Sequence, residues 1–371
     1  MRIKALTGRI KSLLNNKGGP AGHGYKNGPA NPRFGGVGGS WAGAGQVGTP
    51  TPVFFIVGRA KSGTSWLMRL LDAHPEIMCR GEGRFFGRSF KREDFKEAQG
   101  GRIQPSSLYR AILEAEYLRA WIERSVWSRG DDVEEHLANL TRLATNYFLT
   151  QRLSGSGKRI VGDKTPIVDP NVVREIGEIC PEARIIHIVR DGRDAAVSIV
   201  HHRWNNARDE DGIYELGSAE RRKRDAYREN PSELFDAGEG LFTEKAIRNM
   251  AVSWREQVGR VMRDGRTLPG GHYTEVRYED LLESPEENLV RLLEFLGADT
   301  DDEVVRRCVE SASFENWTEG RKRGEEDSAS FFRKGVAGDW KNVFTGWDRR
   351  IFDEEAGGLL SELGYESGGD R

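Results

Sequence analysis

The sequence predicts an α/β fold, a mainly parallel sheet covered by helices on both faces. Apolar segments of strand length alternate with amphipathic segments of helix length, which is the pattern of parallel sheets. Two of the apolar segments, at 53–57 and 184–189, run directly into loops suited to phosphate, and parallel sheets bind ligands at these strand ends. The chain of 371 residues is long enough for one large α/β domain with insertions.

The first half of the chain predicts a strand, a helix and then a largely helical stretch. The strand at 53–57 precedes a helix at 64–73. Further on, Val133 to Leu153 is expected to form one long helix, because apolar side chains recur there at helical spacing. The predicted buried face of this helix consists of Val133, Leu137, Leu140, Ala144 and Tyr147.

The second half continues the alternation of strands and helices. The elements expected there are a strand at 159–162, a helix at 170–179, a strand at 184–189 with the helix that follows it, and a strand at 272–277. The last strand leads into a helical segment, for which Ser284 and Glu287 predict a capping box. Residues 205–245 are polar and charged and are expected to form an insertion.

Residues 1–50 differ in composition from the rest of the chain. They contain seven Lys or Arg and no Asp or Glu, although the whole chain has a formal charge of −2. Residues 2–14 could form a short basic amphipathic helix on an anionic membrane surface, or the segment could be a disordered solubilising tail. The predicted organisation is a basic, Gly-rich flexible leader at 1–50 and one domain at 51–371 with helical insertions at about 85–160 and 205–245.

The cysteine spacing, the net charge and the lack of long apolar runs indicate the cell compartment and the kinds of ligand to expect. Cys79, Cys180 and Cys308 lie far apart without CxxC spacing, which favours a reducing compartment and argues against a zinc site. No His/Asp/Glu cluster has ligand spacing, so no metal is expected, and the overall charge gives no reason to expect nucleic acid. The sequence lacks a run of eighteen apolar residues, so we expect a cytoplasmic protein, with peripheral membrane contact through the leader as an alternative.

The loop after the first strand has the features of a phosphate-binding turn. Residues 53–66 read VFFIVGRAKSGTSW, so that Gly58 and Gly63 bound a short loop that opens a helix. Such a loop directs backbone N–H groups at an anion. ATP- and GTP-binding loops have a lysine directly after the second glycine, whereas Thr64 occupies that position here and the lysine is Lys61. A lysine in the middle of the loop predicts a nucleotide with a short 5′ anionic tail.

Two later segments contain groups suited to a second phosphate. Residues 185–198 read IIHIVRDGRDAAVS, in which a buried strand is followed by Arg190 and, eight residues later, by Ser198. An arginine fork with a hydroxyl suits a lone phosphate monoester. Residues 331–342 read FFRKGVAGDWKN and supply two further cations directly before a glycine.

These three segments, in this order, resemble the sulfotransferases that use 3′-phosphoadenosine 5′-phosphosulfate (PAPS) as sulfuryl donor and release 3′-phosphoadenosine 5′-phosphate (PAP). The resemblance covers roughly residues 52–365 in scattered blocks and implies a fold like that of the P-loop NTPases. It places the first loop on the 5′-phosphosulfate, where Lys61 would stabilise the leaving phosphate, and the other two segments on the 3′-phosphate. The donor-binding residues expected are Arg59, Lys61, Ser62, Gly63, Thr64, Ser65, Trp66, Arg190, Ser198, Tyr278, Phe314, Arg333, Lys334 and Gly335.

Within that set, the resemblance assigns three aromatic residues to adenine. Trp66 and Phe314 match stacking positions of the family, and Tyr278 matches a tyrosine near the base. Ala312 stands where cytosolic members often carry a hydroxyl residue, so one contact to adenine would be lost. Core packing is the alternative role for Trp66 and Tyr278.

The branches of the family use different residues as the catalytic base, and the sequence does not resemble all of them equally. Cytosolic sulfotransferases use a histidine in a KTH-like segment, whereas residues 162–166 read GDKTP and contain none. Residues 70–86, LLDAHPEIMCRGEGRFF, instead resemble the segment of tyrosylprotein and Golgi-type carbohydrate sulfotransferases that carries a catalytic glutamate. That match makes Glu82 the expected base and Lys164 an assisting lysine, with Asp163 as the second candidate base.

Three histidines and three tryptophans have simpler expected roles. His187 lies in the middle of a strand and is expected in the core, whereas His201 and His202 could reach an acceptor pocket from the helix after Ser198. Trp254, Trp340 and Trp347 are expected to pack in the interior.

Two other functions stay open besides a sulfotransferase. An ATP-dependent small-molecule kinase of the P-loop superfamily is disfavoured because position 64 is not lysine. A non-catalytic nucleotide-binding module would not need Lys61, Glu82 and Lys164 together. The expected acceptor is a hydroxyl on a carbohydrate, a lipid or a secondary metabolite, held by the two insertions, and the oligomeric state is left open.

Overall fold

The protein is described by a computed structural model that covers residues 51–87, 107–167, 169–207, 216–236, 238–318, 320–327, 330 and 332–365. The leader at 1–50, with its expected helix at 2–14, lies outside the described residues, as do parts of both expected insertions. None of the described helices is long and apolar enough to cross a membrane.

A five-stranded sheet forms the centre of the fold, and all of its paired strands are parallel. The strands are β1 (Val53–Arg59), β2 (Ile77–Gly81), β3 (Ile160–Ile167), β4 (Arg184–Val189) and β5 (Tyr273–Arg277). Their order across the sheet is β2-β3-β1-β4-β5. The predicted α/β class with a parallel sheet is therefore confirmed. Because the strands are parallel, the loops after β2, β3, β1 and β4 leave the same edge of the sheet.

Fifteen helices are found among the described residues. In chain order they are α1 (Thr64–Asp72), α2 (Leu108–Leu113), α3 (Glu116–Arg124), α4 (Val133–Leu153), α5 (Val172–Ile179), α6 (Gly192–Asn206), α7 (Ser218–Glu229), α8 (Pro231–Asp236), α9 (Glu244–Arg266), α10 (Tyr278–Glu283), α11 (Pro285–Leu296), α12 (Asp302–Ser311), α13 (Phe314–Trp317), α14 (Trp340–Val343) and α15 (Gly346–Glu362). The helices α2 to α4 and α7 to α8 interrupt the alternation of strands and helices.

The central strand β1 is buried on both faces, which explains its continuous apolar sequence. Phe54 and Ile56 belong to a core cluster with side chains of α1, α11 and α12. Phe55 and Val57 point to the opposite face, where they join a cluster with α5. Helices therefore cover both faces of the sheet, and this burial fixes the positions of the loops that leave its carboxyl edge.

The sequence missed the edge strand β2. The segment falls in the stretch that was expected to be largely helical, but Ile77 to Gly81 pairs with residues 160–164 of β3. The strand is only five residues long, and Arg80 and Gly81 at its end are exposed, so it has no alternating apolar pattern to detect. Its importance is positional, because it carries Glu82 to the edge of the sheet where β3 and β1 end.

The predicted long helix at 133–153 is confirmed as α4, but of its predicted buried face only Leu137 is fully buried. Leu140 is 38 % exposed and Tyr147 is 57 % exposed. The buried side chains are spaced four residues apart and are Leu137, Thr141, Thr145 and Leu149. Threonine is tolerated on this face where its hydroxyl finds a backbone partner, as Thr141 does by donating to the carbonyl oxygen of Leu137 at 2.8 Å.

Two smaller expectations also fail. The capping box at the start of α11 is absent, since the Ser284 side chain caps no backbone N–H group there. The helix instead begins with Pro285 at its first position, where a missing N–H group costs nothing. Trp254 and Trp340 pack in the interior as expected, but Trp347 is half exposed.

Candidate active site

The loop between β1 and α1 forms a tight backbone cradle. Ser62 N donates to Arg59 O at 3.1 Å, and α1 then begins after Gly63, whose φ is +94°. A Cβ atom at Gly63 would lie 2.5 Å from the Tyr278 ring, so glycine is required there for space as well as for conformation. The first turn of α1 contains no acidic residue and has no side-chain cap. The N-terminus of α1 can therefore bind an anion through the N–H groups of residues such as Thr64 and Ser65.

Lys61 is the cation of this cradle. Burial, and secondarily the positive charge of Arg190, lowers the pKa of Lys61 to about 8. A bound anion would offset both effects. The environment of this lysine therefore favours a negatively charged ligand.

Arg190 joins the cradle to the C-terminal loop. Its guanidinium donates to the carbonyl oxygens of Lys61 and Val336, both at 3.0 Å, and lies 4.5 Å from the centre of the Tyr278 ring. The Nε atom is buried and has no hydrogen-bond partner among the described residues. Ser198, two turns into α6, lines the same cleft. The structure therefore brings Arg190 and Ser198 to one cleft.

The C-terminal loop carries Arg333 and Lys334, which are both paired with carboxylates. Glu326 accepts from Arg333 Nη1 at 2.9 Å and from Lys334 Nζ at 2.9 Å, and Asp339 contacts both cations as well. Gly335 follows with a φ of +66°, and a Cβ atom there would lie 2.6 Å from the Phe314 ring. The two cations are thus held at the cleft wall by acidic partners from the same loop.

Asp194 anchors this loop to α6. Its carboxylate accepts from Gly338 N at 2.6 Å and from Trp340 N at 2.9 Å. Because Asp194 is almost completely buried, these bonds are shielded from water. The loop therefore has a fixed attachment close to its two cations.

Aromatic side chains form one end of the same cleft, whose empty volume is about 900 Å³. Trp66 and Tyr278 meet edge to face with ring centres 5.7 Å apart, and Trp66 Nε1 donates to Ala312 O at 3.0 Å. The lining residues are Lys61, Gly63, Thr64, Ser65, Trp66, Arg69, Arg190, Ser198, Tyr278, Ala312, Phe314, Trp317, Arg323, Phe332, Arg333, Lys334, Gly335 and Val336. This set contains all but two of the predicted donor-binding residues.

The two exceptions are Arg59 and Ser62. The Arg59 side chain is buried away from the cleft, and its Nε donates to Gln257 Oε1 at 3.3 Å. Burial lowers the pKa of Arg59 to about 10. Ser62 is completely buried, and its hydroxyl has no partner among the described residues. Neither side chain lines the cleft, so their contribution to the cradle is through the backbone.

The sequence missed several residues of the cleft. Trp317 follows Phe314 by three residues and stacks on the Arg69 guanidinium, with 3.2 Å between the Arg69 Cζ and the ring centre. The Cζ atom of Arg323 lies 5.0 Å from the centre of the Trp66 ring. The segment SASFENW contained the signal for Trp317, whereas nothing in the local sequence of α1 distinguishes Arg69 from a surface arginine.

The predicted catalytic carboxylate lies in a second cluster on the same sheet edge. Lys164 Nζ donates to Glu82 Oε1 at 2.8 Å. Neighbouring Asp163 accepts from Gly83 N and from Thr165 Oγ1, each at 2.8 Å. Burial raises the pKa of Asp163 to about 7. The structure thus brings Glu82, Lys164 and Asp163 together. Glu82 and Asp163 line a cleft that shares no residue with the cleft at the cradle.

Sheet order relates the two clusters. Glu82, Lys61 and Arg190 lie in the loops after β2, β1 and β4, and Lys164 lies within β3; the order β2-β3-β1-β4 makes these strands consecutive in the sheet. Neighbouring strands are about 5 Å apart. The backbone cradle and the carboxylate cluster therefore occupy adjacent parts of one edge.

His187 has the predicted core position. It is completely buried in β4, its Nδ1 is 2.9 Å from the Tyr273 hydroxyl, and burial lowers its pKa to about 3. A neutral imidazole in the sheet has no access to the cleft residues.

Comparison with known proteins identifies the family. The pattern described as "Sulfotransferase domain" matches residues 176–364, and that described as "Sulfotransferase family" matches residues 52–230. Sulfotransferase 1A1 of Bos taurus is 25 % identical over 182 residues, which is 46 % of this chain and 53 % of that protein. Sulfotransferase 1 family member D1 of Rattus norvegicus is 37 % identical over 87 residues, 21 % of this chain and 30 % of that protein. The matches span about half the length of these relatives or less.

Solved structures of related proteins resemble the chain over most of its length. Mouse sulfotransferase SULT7A1 complexed with PAP gives a TM-score of 0.44 and 18 % identity, covering 86 % of each chain. The sulfotransferase domain from the Synechococcus PCC 7002 olefin synthase gives a TM-score of 0.45 and 18 % identity, covering 86 % of this chain and 96 % of that one. Since one family pattern alone spans more than half of the sequence, the chain belongs to the sulfotransferase family.

Proposed function

We propose that the protein transfers a sulfuryl group from PAPS to a hydroxyl acceptor and releases PAP. The observation that carries this proposal is one cleft that joins a lysine-bearing backbone cradle, an arginine and serine of the next strand and helix, and aromatic side chains. A nucleotide with phosphates at both its 5′ and 3′ positions needs these three kinds of contact. Family membership points to the same chemistry.

The residues present suit such a donor. Lys61 and the N–H groups at the start of α1 would hold the 5′-phosphosulfate, and Arg190, Ser198 and the pair Arg333-Lys334 would hold the 3′-phosphate. The Nε atoms of Arg190 and Arg333 are buried without hydrogen-bond partners among the described residues, and a buried unpaired donor is costly unless a ligand satisfies it. Adenine would pack among Trp66, Tyr278 and Phe314.

The reaction would be an in-line displacement at sulfur. The acceptor hydroxyl gives its proton to a carboxylate while its oxygen bonds to sulfur, and the bond from sulfur to the bridging oxygen breaks with its electron pair remaining on the 5′-phosphate. Glu82 is the proposed base, and Asp163 is the second candidate. Lys61 would stabilise charge on the bridging oxygen, and most of the rate enhancement would come from such fixed charges and from positioning. Lys164, which donates to Glu82, would orient the carboxylate.

We also propose a compartment and a set of acceptor classes. A cytoplasmic location fits a family with cytosolic members, and the basic leader could add peripheral contact with a membrane. Small molecules, carbohydrates and lipids are the proposed acceptor classes. Within the described ranges, no three His, Cys, Asp or Glu side chains are grouped to hold a metal ion.

Calorimetric titration with PAP tests the proposal, with ADP and magnesium-ATP as controls. Tight binding that requires the 3′-phosphate and no metal supports the donor assignment. Magnesium-dependent binding of ATP in preference to PAP would replace it with the kinase alternative. Binding of PAP with no transfer from PAPS to any acceptor would leave a nucleotide-binding module.

A further inference from the structure

An arginine, Arg69, lies among the aromatic side chains of the cleft that we propose for the donor. It follows Trp66 by three residues on α1, so the two side chains are neighbours on one face of the helix. Both of them line the cleft. Because Trp66 is one of the side chains proposed to pack on adenine, Arg69 lies beside the position that the base would take.

Aromatic rings hold the Arg69 guanidinium in place. Its Cζ atom is 3.2 Å from the centre of the Trp317 ring and 5.1 Å from the centre of the Phe332 ring. Burial lowers the pKa of Arg69, but a guanidinium stays protonated near pH 7. Within the described ranges no carboxylate forms an ion pair with this cation, whereas Arg333 in the same cleft pairs with Glu326. Arg69 is thus a fixed cation without a described counter-charge.

The Nη1 atom of Arg69 lacks a hydrogen-bond acceptor. This atom is buried, and none of the described residues accepts from it. A guanidinium has five N–H donors in one plane and no acceptor, so a ring packed on its face leaves the donors at its edge available. A buried donor without an acceptor is costly. The surroundings of Arg69 therefore favour a ligand that brings an acceptor atom into the cleft.

The indole N–H groups of the cleft are already used in hydrogen bonds to the backbone. Trp66 Nε1 donates to Ala312 O at 3.0 Å, and Trp317 Nε1 donates to Ser311 O at 3.2 Å. Ring stacking alone would hold any base, because every base has an aromatic face. Selection of one base needs a hydrogen bond to its edge, and Arg69 supplies a donor for it.

We propose that Arg69 donates a hydrogen bond to a ring nitrogen of the donor's adenine, and that this bond selects the base. The inference rests on the proposed sulfuryl transfer and adds to it a residue that determines donor specificity. Adenine offers N1, N3 and N7 as acceptors in the plane of its rings. An oxygen of the 3′-phosphate is the other acceptor that a donor of this kind would bring to an arginine, and the experiment separates the two.

Calorimetry with analogues of PAP tests the unmodified protein first. The 1-deaza, 3-deaza and 7-deaza analogues each replace one ring nitrogen by carbon and keep both phosphates. We expect one of the three to bind roughly tenfold more weakly than PAP, the effect of losing a hydrogen bond from a charged donor. Ribose 3,5-bisphosphate, which has both phosphates and no base, is measured by competition with PAP.

Arg69→Met then removes the donors and keeps an unbranched side chain that can still pack on Trp317. This variant should bind PAP roughly tenfold more weakly and bind ribose 3,5-bisphosphate as the unmodified protein does. It should also bind PAP and the sensitive deaza analogue equally. Arg350→Met is the matched control, because the Cζ atom of the exposed Arg350 lies 5.4 Å from the centre of the Trp347 ring on α15. The control should leave the affinity for every ligand unchanged.

The outcomes separate this inference from the proposed function. Equal binding of PAP and all three deaza analogues by the unmodified protein would overturn the inference, as would unchanged PAP affinity in Arg69→Met. Equal losses of affinity for PAP and ribose 3,5-bisphosphate in Arg69→Met would place the arginine on a phosphate. If Arg69→Met still discriminates against the deaza analogue, another group such as the Tyr278 hydroxyl contacts that nitrogen and the inference fails. Failure of the unmodified protein to bind PAP would instead overturn the proposed function itself.

Discussion

Replacing Glu326 by glutamine should strengthen donor binding. The Glu326 carboxylate contacts Arg333 Nη1 and Lys334 Nζ, both at 2.9 Å, and the proposed 3′-phosphate needs the same two cations. The side chains of Glu326, Arg333 and Lys334 are 26 %, 11 % and 22 % exposed, so solvent screens these ion pairs only in part. Each contact is worth about 0.5–1 kcal/mol at such exposure. A donor that displaces Glu326 therefore gives up about 1–2 kcal/mol.

The expected gain in PAP affinity equals the free energy that is otherwise lost when the donor displaces Glu326. Since 1.4 kcal/mol corresponds to a tenfold change in Kd, Glu326→Gln should tighten PAP binding by about 5- to 30-fold. Calorimetry at low and high salt measures it, and the gain should shrink as salt screens the ion pairs. Adenosine 5′-phosphosulfate lacks the 3′-phosphate and should bind both proteins equally. Glu303→Gln is the matched control, because Glu303 pairs with Arg307 on the exposed side of α12. Unchanged or weaker PAP binding by a folded Glu326→Gln protein would refute the competition between carboxylate and phosphate.

Four further results are expected. Lys61→Ala should lower kcat about 10²- to 10³-fold with a smaller loss of PAP affinity, whereas Arg190→Ala should mainly weaken PAP binding; calorimetry with single-turnover rates separates these roles, and equal effects on binding alone would contradict them. Glu82→Gln should keep donor affinity and lose transfer, so near-normal turnover would exclude Glu82 as the base. Because the pKa of Lys61 is about 8, kcat/KM for PAPS should fall as pH rises through that value, and Lys61→Arg should remove the fall. Asp163 has a pKa of about 7, so the native state keeps a proton that the unfolded chain loses near pH 4. Its contribution to the free energy of unfolding should therefore decline between pH 4 and 7, by at most about 4 kcal/mol, and urea unfolding of Asp163→Asn should lack that decline.

The cleft that we propose for the donor could be predicted from sequence because most of its predicted lining residues come in short contiguous segments. The loop at 58–66 needs glycines at fixed places, and the structure shows that Tyr278 fills the space a side chain at Gly63 would take. The spacing of the glycines in the sequence reflects such local requirements. The stacking of Trp317 on Arg69 depends instead on the packing of α13 against α1, which no local spacing records.

The predictions from sequence were wrong where polar side chains are buried and where a strand is short. The buried face of α4 contains Thr141, whose hydroxyl is satisfied by a backbone carbonyl, so hydrophobicity placed the face on Leu140 and Tyr147 instead. β2 was missed because five residues ending in Arg80-Gly81 have no strand period.

Because of the contacts of Arg190, the cleft can be completed only after two segments far apart in the sequence have both been synthesised. This guanidinium binds a carbonyl at residue 61 and another at residue 336, and Asp194 holds the N–H groups of residues 338 and 340. Residues 61 and 336, which Arg190 joins, are more than two hundred residues apart in the sequence. A nascent chain that already contains the whole sheet still lacks one wall of its nucleotide site until the segment around Trp340 has left the exit tunnel. If the cleft binds PAP as proposed, the nucleotide should stabilise chains that extend past this segment and give little help to shorter nascent chains.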